Sequence, residues 1–163
     1  MKIRKLREDD IPRIVSMIHD VMGPDDAKKA LTDMRISLGE HTPYKFEEFY
    51  VLEINGEIVA AGGFWSLKYD PDIGRLDWFV VPRKHQRKGF GTMLMNHIVK
   101  RAKNGGLRML LAETSDSRDY LAARQFLAKT GFRKTASIGN YWGDGSACVY
   151  FVKRLKKENK KLR

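Results

Sequence analysis

Cysteine is all but missing: Cys148 is the single one among 163 residues. An intramolecular disulfide is therefore excluded, and the composition suits a reducing compartment. Set between Ala147 and Val149, Cys148 reads as core rather than as a nucleophile. Nothing in the sequence singles out His19, His41, His85 or His97 as its partner. Long apolar runs are missing too, since none approaches the ~20 residues that span a bilayer. The segment Met1-Lys2-Ile3-Arg4-Lys5-Leu6 lacks the apolar stretch of a secretion signal, so a cytoplasmic protein with no membrane partner is expected. No cluster of His, Cys, Asp and Glu has ligand spacing, and no metal is expected. Repeats, low-complexity tracts and linkers are also lacking. The simplest organisation is one domain, large enough to bury its own core.

Charge of one sign dominates, with a net +11. Lys153 to Arg163 hold seven basic residues and one acid, a net +6, which leaves +5 for the rest. The chain divides into a domain at 1–156 and a basic C-terminal tail at 157–163. A terminal basic run is most simply a solvated end. Nucleic acid is not the expected partner, because no aromatic residues interleave the basic ones to stack on bases. An accessory role for the tail on nucleic acid would show itself as salt-dependent binding.

Periodicity supplies the elements. Lys2 to Leu6 reads as a short strand, and Asp9 or Asp10 caps a helix carrying Ile11, Ile14, Val15, Ile18 and Met22. Gly23-Pro24 breaks it, and a second helix turns Ala27, Leu31, Met34 and Leu38 inward before Gly39. A loop follows at Glu40 to Tyr44, in which His41 is most simply solvated. Asn55-Gly56 joins strands Phe49–Ile54 and Glu57–Leu67 as a hairpin, with Gly62-Gly63 signalling a bulge or close backbone approach. Leu76 to Val81 is a central strand stopped by Pro82. Leu94, Met95, Ile98, Val99 and Ala102 then form a helical stripe ending at Asn104-Gly105-Gly106. Arg108–Thr114 is a buried strand, Tyr120–Thr130 a helix, and Phe132–Ile138 and Ala147–Lys153 the last two strands. The order β-α-α-β-β-β-α-β-α-β-β implies an α/β (α+β) mixed sheet with helices on both faces.

Between the central strand and the third helix lies Gln86-Arg87-Lys88-Gly89-Phe90-Gly91-Thr92. Such a loop leaves backbone N–H groups unpaired where the helix dipole favours negative charge. Gly89 and Gly91 let a ligand reach the main chain, and Arg87 and Lys88 add cations. The expected ligand is a pyrophosphate. The loop is not a dinucleotide G-x-G-x-x-G fingerprint, nor a P-loop, since no Gly-Lys-Ser/Thr closes it.

The Q-x-x-G-x-G spacing after a strand ending Val80-Val81-Pro82 resembles the acetyl-CoA signature of the GNAT acetyltransferases. The element order resembles the GNAT fold over nearly the whole chain. One GNAT subgroup is matched further by Glu113-Thr114-Ser115, Tyr120, Arg124-Gln125-Phe126, Gly131-Phe132, Tyr141-Trp142-Gly143-Asp144-Gly145 and Tyr150-Phe151-Val152-Lys153-Arg154-Leu155 in order.

This resemblance implies transfer of an acetyl group from acetyl-CoA to a primary amine, of a small molecule or a protein, by direct attack in a ternary complex. It assigns the pantetheine arm to main chain at Phe79, Val80 and Val81, with an oxyanion donor near Val80. It assigns the pyrophosphate to Gln86, Arg87, Lys88, Gly89, Phe90, Gly91 and Thr92. Pro82 stands four residues before Gln86, where the family often has three, which leaves the register open by one. An ammonium with pKa ~10.4 must lose a proton before it attacks. Asp77 or Glu113 could take it, or neither. The family's leaving-group acid is a tyrosine, where this chain has Leu127. Tyr120 and Tyr141 are substitutes in principle, with Tyr141 kept as the catalytic candidate; alternatively the thiolate leaves unaided. A non-catalytic acyl-CoA-binding module is the other reading of Leu127. The basic charge argues against polyamine acceptors and suits an anionic one. A homodimer is compatible with the sequence.

Overall fold

The fold is described by a computed structural model covering residues 1–39, 44–45 and 47–155. Seven strands form one mixed sheet in the order β1-β2-β3-β4-β5-β7-β6. They are β1 Lys2–Lys5, β2 Glu47–Ile54, β3 Glu57–Ser66, β4 Ile73–Val80, β5 Met109–Ser115, β6 Arg133–Ile138 and β7 Cys148–Arg154. Four helices, α1 Ile11–Met22, α2 Pro24–Ser37, α3 Phe90–Asn104 and α4 Leu121–Lys129, complete the expected order. Gly23, at φ 107°, alone separates α1 from α2; Pro24 opens α2 instead of breaking the chain, since its missing N–H costs nothing in a first turn. Strand β4 begins at Ile73, three residues before its expected start. The loop with His41 and the tail at 157–163 lie outside the described residues.

Helices cover both faces of the sheet. On one, α1 and α2 bury Ile14, Met17, Ile18, Ala30 and Met34 against Val51, Ala61 and Val80. On the other, α3 and α4 bury Leu94, Met95, Ile98 and Leu127 against Leu52, Val59, Leu110 and Phe151. Strands buried on both sides lose the apolar–polar alternation of a half-exposed sheet, as Phe49 to Leu52 and Ile58 to Phe64 do. Asn55 and Gly56, at φ 49° and 83°, make the tight β2–β3 turn that the Asn-Gly pair announces.

Two irregularities place the site. Strands β4 and β5 are parallel neighbours, but they pair only at Ile73–Met109, Gly74–Leu110 and Arg75–Leu111. Beyond Arg75, β5 stays with β7 as far as Ser115–Cys148, while β4 stays with β3 as far as Val80–Ala61. The sheet therefore opens into a V, and the β5-facing edge of β4 is left bare. The second irregularity is a bulge in β4. Gly63 pairs with Asp77 and Ala61 with Val80, so Trp78 and Phe79 together oppose Gly62. A Cβ on Gly62 would lie 2.7 Å from the Phe79 ring, hence glycine there, as the Gly62-Gly63 pair suggested. Trp78 takes φ 34°, a conformation rare for a bulky residue.

Candidate active site

The bulge decides which side chains enter the V. In a regular strand Asp77 and Trp78 would face opposite sides. Here Trp78 packs with the α1–α2 core and donates its indole Nε1–H to Asp33 of α2 at 2.8 Å, while Asp77 also feels the charges of Asp33 and Glu47. Leu76 and Phe79 go to the α3–α4 side. Phe79 stacks on Phe126 of α4, with ring centroids 5.3 Å apart. The result is a cleft of about 970 Å³ lined by β4, the end of β5, the start of α2, and α4.

Asp77 sits half-buried in this cleft. Desolvation, then Asp33 and Glu47, push its carboxyl up to about 7, against the pull of Arg75 and the Trp78 N–H. It is thus poised to exchange a proton near neutrality, as a general base requires. Glu113, the other expected base, also lines the cleft but is ion-paired with Arg75, whose guanidinium lies 5.4 Å from the Trp65 ring.

The phenols separate. Tyr120 lines the cleft, and its hydroxyl bonds to Asp26 across the opening; burial, with Asp26 and Asp119 nearby, pushes its pKa up. Tyr141 is not among the lining residues: half-exposed, it contacts Trp142 and shares a hydrogen bond with Tyr150. Leu127 lines the cleft and is buried. No phenol stands at that position.

The loop before α3 follows the C-terminal end of β4, the same end at which the sheet opens. A single turn at Arg83–His85 leads from Pro82 to Gln86. Gln86 donates from Nε2 to the Val81 carbonyl at 2.9 Å, so its side chain fastens the loop to the strand and is not free for phosphate. Arg87 and Gly89 adopt left-handed conformations, φ 63° and 85°. Among the described residues, no backbone carbonyl accepts from the N–H groups of Arg87, Lys88, Gly89, Phe90, Gly91 and Thr92. This is an anion nest at a helix start, with Arg87 and Lys88 exposed beside it. Gly89 has no atom within 4 Å of where a Cβ would be. Gly91 differs from expectation: its Cβ would meet Phe126 and Val81 at 3.3 Å, so its smallness serves the packing of α3 on α4 and β4.

These residues fit acetyl-CoA. The nest and its cations suit the pyrophosphate, and the bare edge of β4 at Phe79 and Val80 suits a strand-like amide arm, with the Val81 carbonyl beyond it accepting from Gln86. Val80 is buried in the core, so only its main chain can serve.

Cleft and nest on one splayed strand make a site suited to a phosphate-bearing, amide-bearing ligand lying beside a second molecule. The model of the acetyltransferase (GNAT) family matches residues 15–132, and the protein belongs to that family, whose members use acetyl-CoA. An amino-acid acetyltransferase of Neisseria meningitidis serogroup A is 25% identical over 126 residues, 77% of this chain and 27% of that protein. The chain thus spans about a quarter of the length of the curated relatives it matches. Among solved structures, a GNAT-family protein from Desulfovibrio desulfuricans superposes with TM-score 0.86 at 20% identity, covering 95% of this chain and 99% of that one. An aminoglycoside 6′-N-acetyltransferase in complex with coenzyme A gives 0.77 at 14% identity, covering 96% and 98%. At such identities the likeness establishes the fold, and the acceptor is left to the cleft.

Sequence reasoning missed two links to α2, Trp78–Asp33 from the sheet and Tyr120–Asp26 from the turn before α4. The acids of α2 look like an ordinary solvated face, and only the bulge reveals that this helix borders the cleft.

Proposed function

We propose that the protein is an N-acetyltransferase that acetylates a primary amine by direct attack in a ternary complex, with Asp77 as the general base. The observation that carries this is the V between β4 and β5, which brings a bare strand edge and a proton-accepting carboxylate into one cleft. When bound, acetyl-CoA supplies the acetyl group as a thioester. The Arg87–Thr92 nest and the main chain at Phe79 to Val81 hold the cofactor, and Gln86 keeps the loop in register with the strand. Asp77 takes the proton that the acceptor nitrogen must lose. Glu113 holds Arg75 in place rather than accepting that proton. With Leu127 at the family's acid position, no side-chain acid serves the thiolate there, and solvent protonates it. The buried thiol of Cys148 is compatible with work in the reducing cytoplasm.

Leu127 also supports a second reading, an acyl-CoA-binding module without turnover. Thiol release from acetyl-CoA across a panel of amines separates the two. Acceptor-dependent release that Asp77→Asn abolishes is expected of the enzyme. Tight acetyl-CoA binding with no acceptor-dependent release would leave only the module.

A further inference from the structure

The charge inside the cleft opposes the charge of the chain. Eight carboxylates line it against two cations, Lys29 and Arg75, among the described residues. Both cations are committed, Arg75 to Glu113 and Lys29 to Asp26 at 3.6 Å. The carboxylates gather in two places. An inner group, Asp33 and Glu47, surrounds Asp77. An outer group, Asp26 and Asp119, surrounds Tyr120, with exposed Asp25 next in the chain. Aromatic faces stand between and around them: Trp78, Tyr120, and Trp65 stacked on Tyr44 at 4.6 Å. Trp65 already carries one cation over its ring, the Arg75 guanidinium.

We propose that the acceptor is a small amine bearing at least two ammonium groups, one reacting at Asp77 and the second held at the outer carboxylates around Tyr120. The proposal rests on the acetyltransferase reading above and names its substrate class. Gathered like charges favour a ligand that brings the opposite sign, and cleft walls focus that field. An acceptor with its own carboxylate, such as an α-amino acid, would set that anion against one group or the other. A monoamine would satisfy the inner group and leave the outer one facing water. The overall +11 is no guide here, because the basic residues lie mostly outside the cleft.

The test uses the full chain with three acceptors of one length: 1,4-diaminobutane, n-butylamine and 4-aminobutyrate. Thiol release from acetyl-CoA gives kcat/KM, and calorimetry on the protein saturated with coenzyme A gives acceptor affinity. The diamine is expected to exceed n-butylamine on the order of 10- to 100-fold in kcat/KM, mainly through KM, with 4-aminobutyrate lowest. Raising salt from 50 to 500 mM should shrink that ratio several-fold. Asp119→Asn and Asp25→Asn, both at exposed positions, should each reduce the diamine-to-monoamine ratio. Equal rates and affinities for diamine and monoamine, or a preference for 4-aminobutyrate, would overturn the proposal while leaving N-acetylation intact. If no amine turns over, the acetyltransferase reading fails by itself. Calorimetry still decides the second-ammonium site in that case: tighter diamine binding upholds it, and equal binding overturns it.

Discussion

Asp77→Asn should make the protein more stable and nearly inactive at once. A carboxyl raised from an ordinary 3.8 to about 7 binds its proton more tightly in the folded chain than in the unfolded one. Between pH 4 and 7 the unfolded state has lost that proton and the folded state keeps it, so stability falls as pH climbs through this window. Above pH 7 the folded state carries the full cost of a desolvated charge, on the order of 4 kcal/mol as an upper limit. Asparagine keeps the shape and carries no charge. The variant should therefore match the wild type near pH 4 and gain stability progressively to pH 8, with a Tm rise of roughly 5–15 °C there. Turnover should fall by about 10²- to 10⁴-fold with acetyl-CoA affinity retained. The wild-type kcat/KM should rise tenfold per pH unit below about 7 and then level, and the variant should lose that limb. Thermal melts and thiol-release assays from pH 4 to 8 supply both readouts. Equal melting temperatures at pH 8 would show that Asp77 ionises normally, and a rate within tenfold of wild type would remove it as the base.

The other predictions probe the scaffold around it. Gly89→Val forces a β-branched residue into φ 85° with no neighbour to clash, so acetyl-CoA affinity should drop at least tenfold while backbone strain lowers the melting temperature by roughly 2–10 °C; unchanged affinity in calorimetry would remove the nest from the cofactor site. Gly62→Val meets Phe79 at 2.7 Å and should undo the bulge, costing about 1–3 kcal/mol and most of the activity; a normal melt and normal kinetics would show that the bulge does not position Asp77. Tyr141→Phe should leave turnover unchanged, because Tyr141 lies outside the cleft lining, whereas Tyr120→Phe leaves Asp26 with Lys29 but without its phenol and should alter acceptor KM more than kcat. The reverse pattern would make Tyr141 the acid. Leu127→Tyr should keep or raise turnover if the buried site accepts the added volume, and a loss of rate with an unchanged melt would contradict an unassisted thiolate.

Much of this was legible in the residues. Among the described residues, each strand and helix is expected from periodicity and from the Asn55-Gly56 and Gly23-Pro24 breaks, with β4 starting three residues early. Gly62-Gly63 announces a bulge or close backbone approach in its own strand; the close approach is there, and the extra residue is in β4. What the letters do not carry is the direction of the bulge. Alternation sends Asp77 and Trp78 to opposite faces, and only a residue at positive φ in the middle of β4 brings both toward α2. The reason for Gly91 was likewise hidden, since its contacts with Phe126 and Val81 come from distant segments. The sequence favours Tyr141 over Tyr120 as the catalytic phenol, yet Tyr120 borders the cleft and Tyr141 pairs with Tyr150, a placement set by contacts between distant segments. Net charge pointed toward an anionic acceptor because it sums the whole chain. The cleft collects acids from α2, β2, β4, β5 and the segment before α4, which lie far apart in sequence.

The central claim is that this chain moves an acetyl group onto an amine through Asp77. Mass spectrometry after a single turnover with acetyl-CoA labelled in its acetyl carbons tests it most directly. One labelled acetyl group on the acceptor nitrogen for each coenzyme A released is expected of the wild type, and almost none of Asp77→Asn. Label that stays on coenzyme A in the wild type, or that reaches the amine equally well without the Asp77 carboxylate, would contradict it.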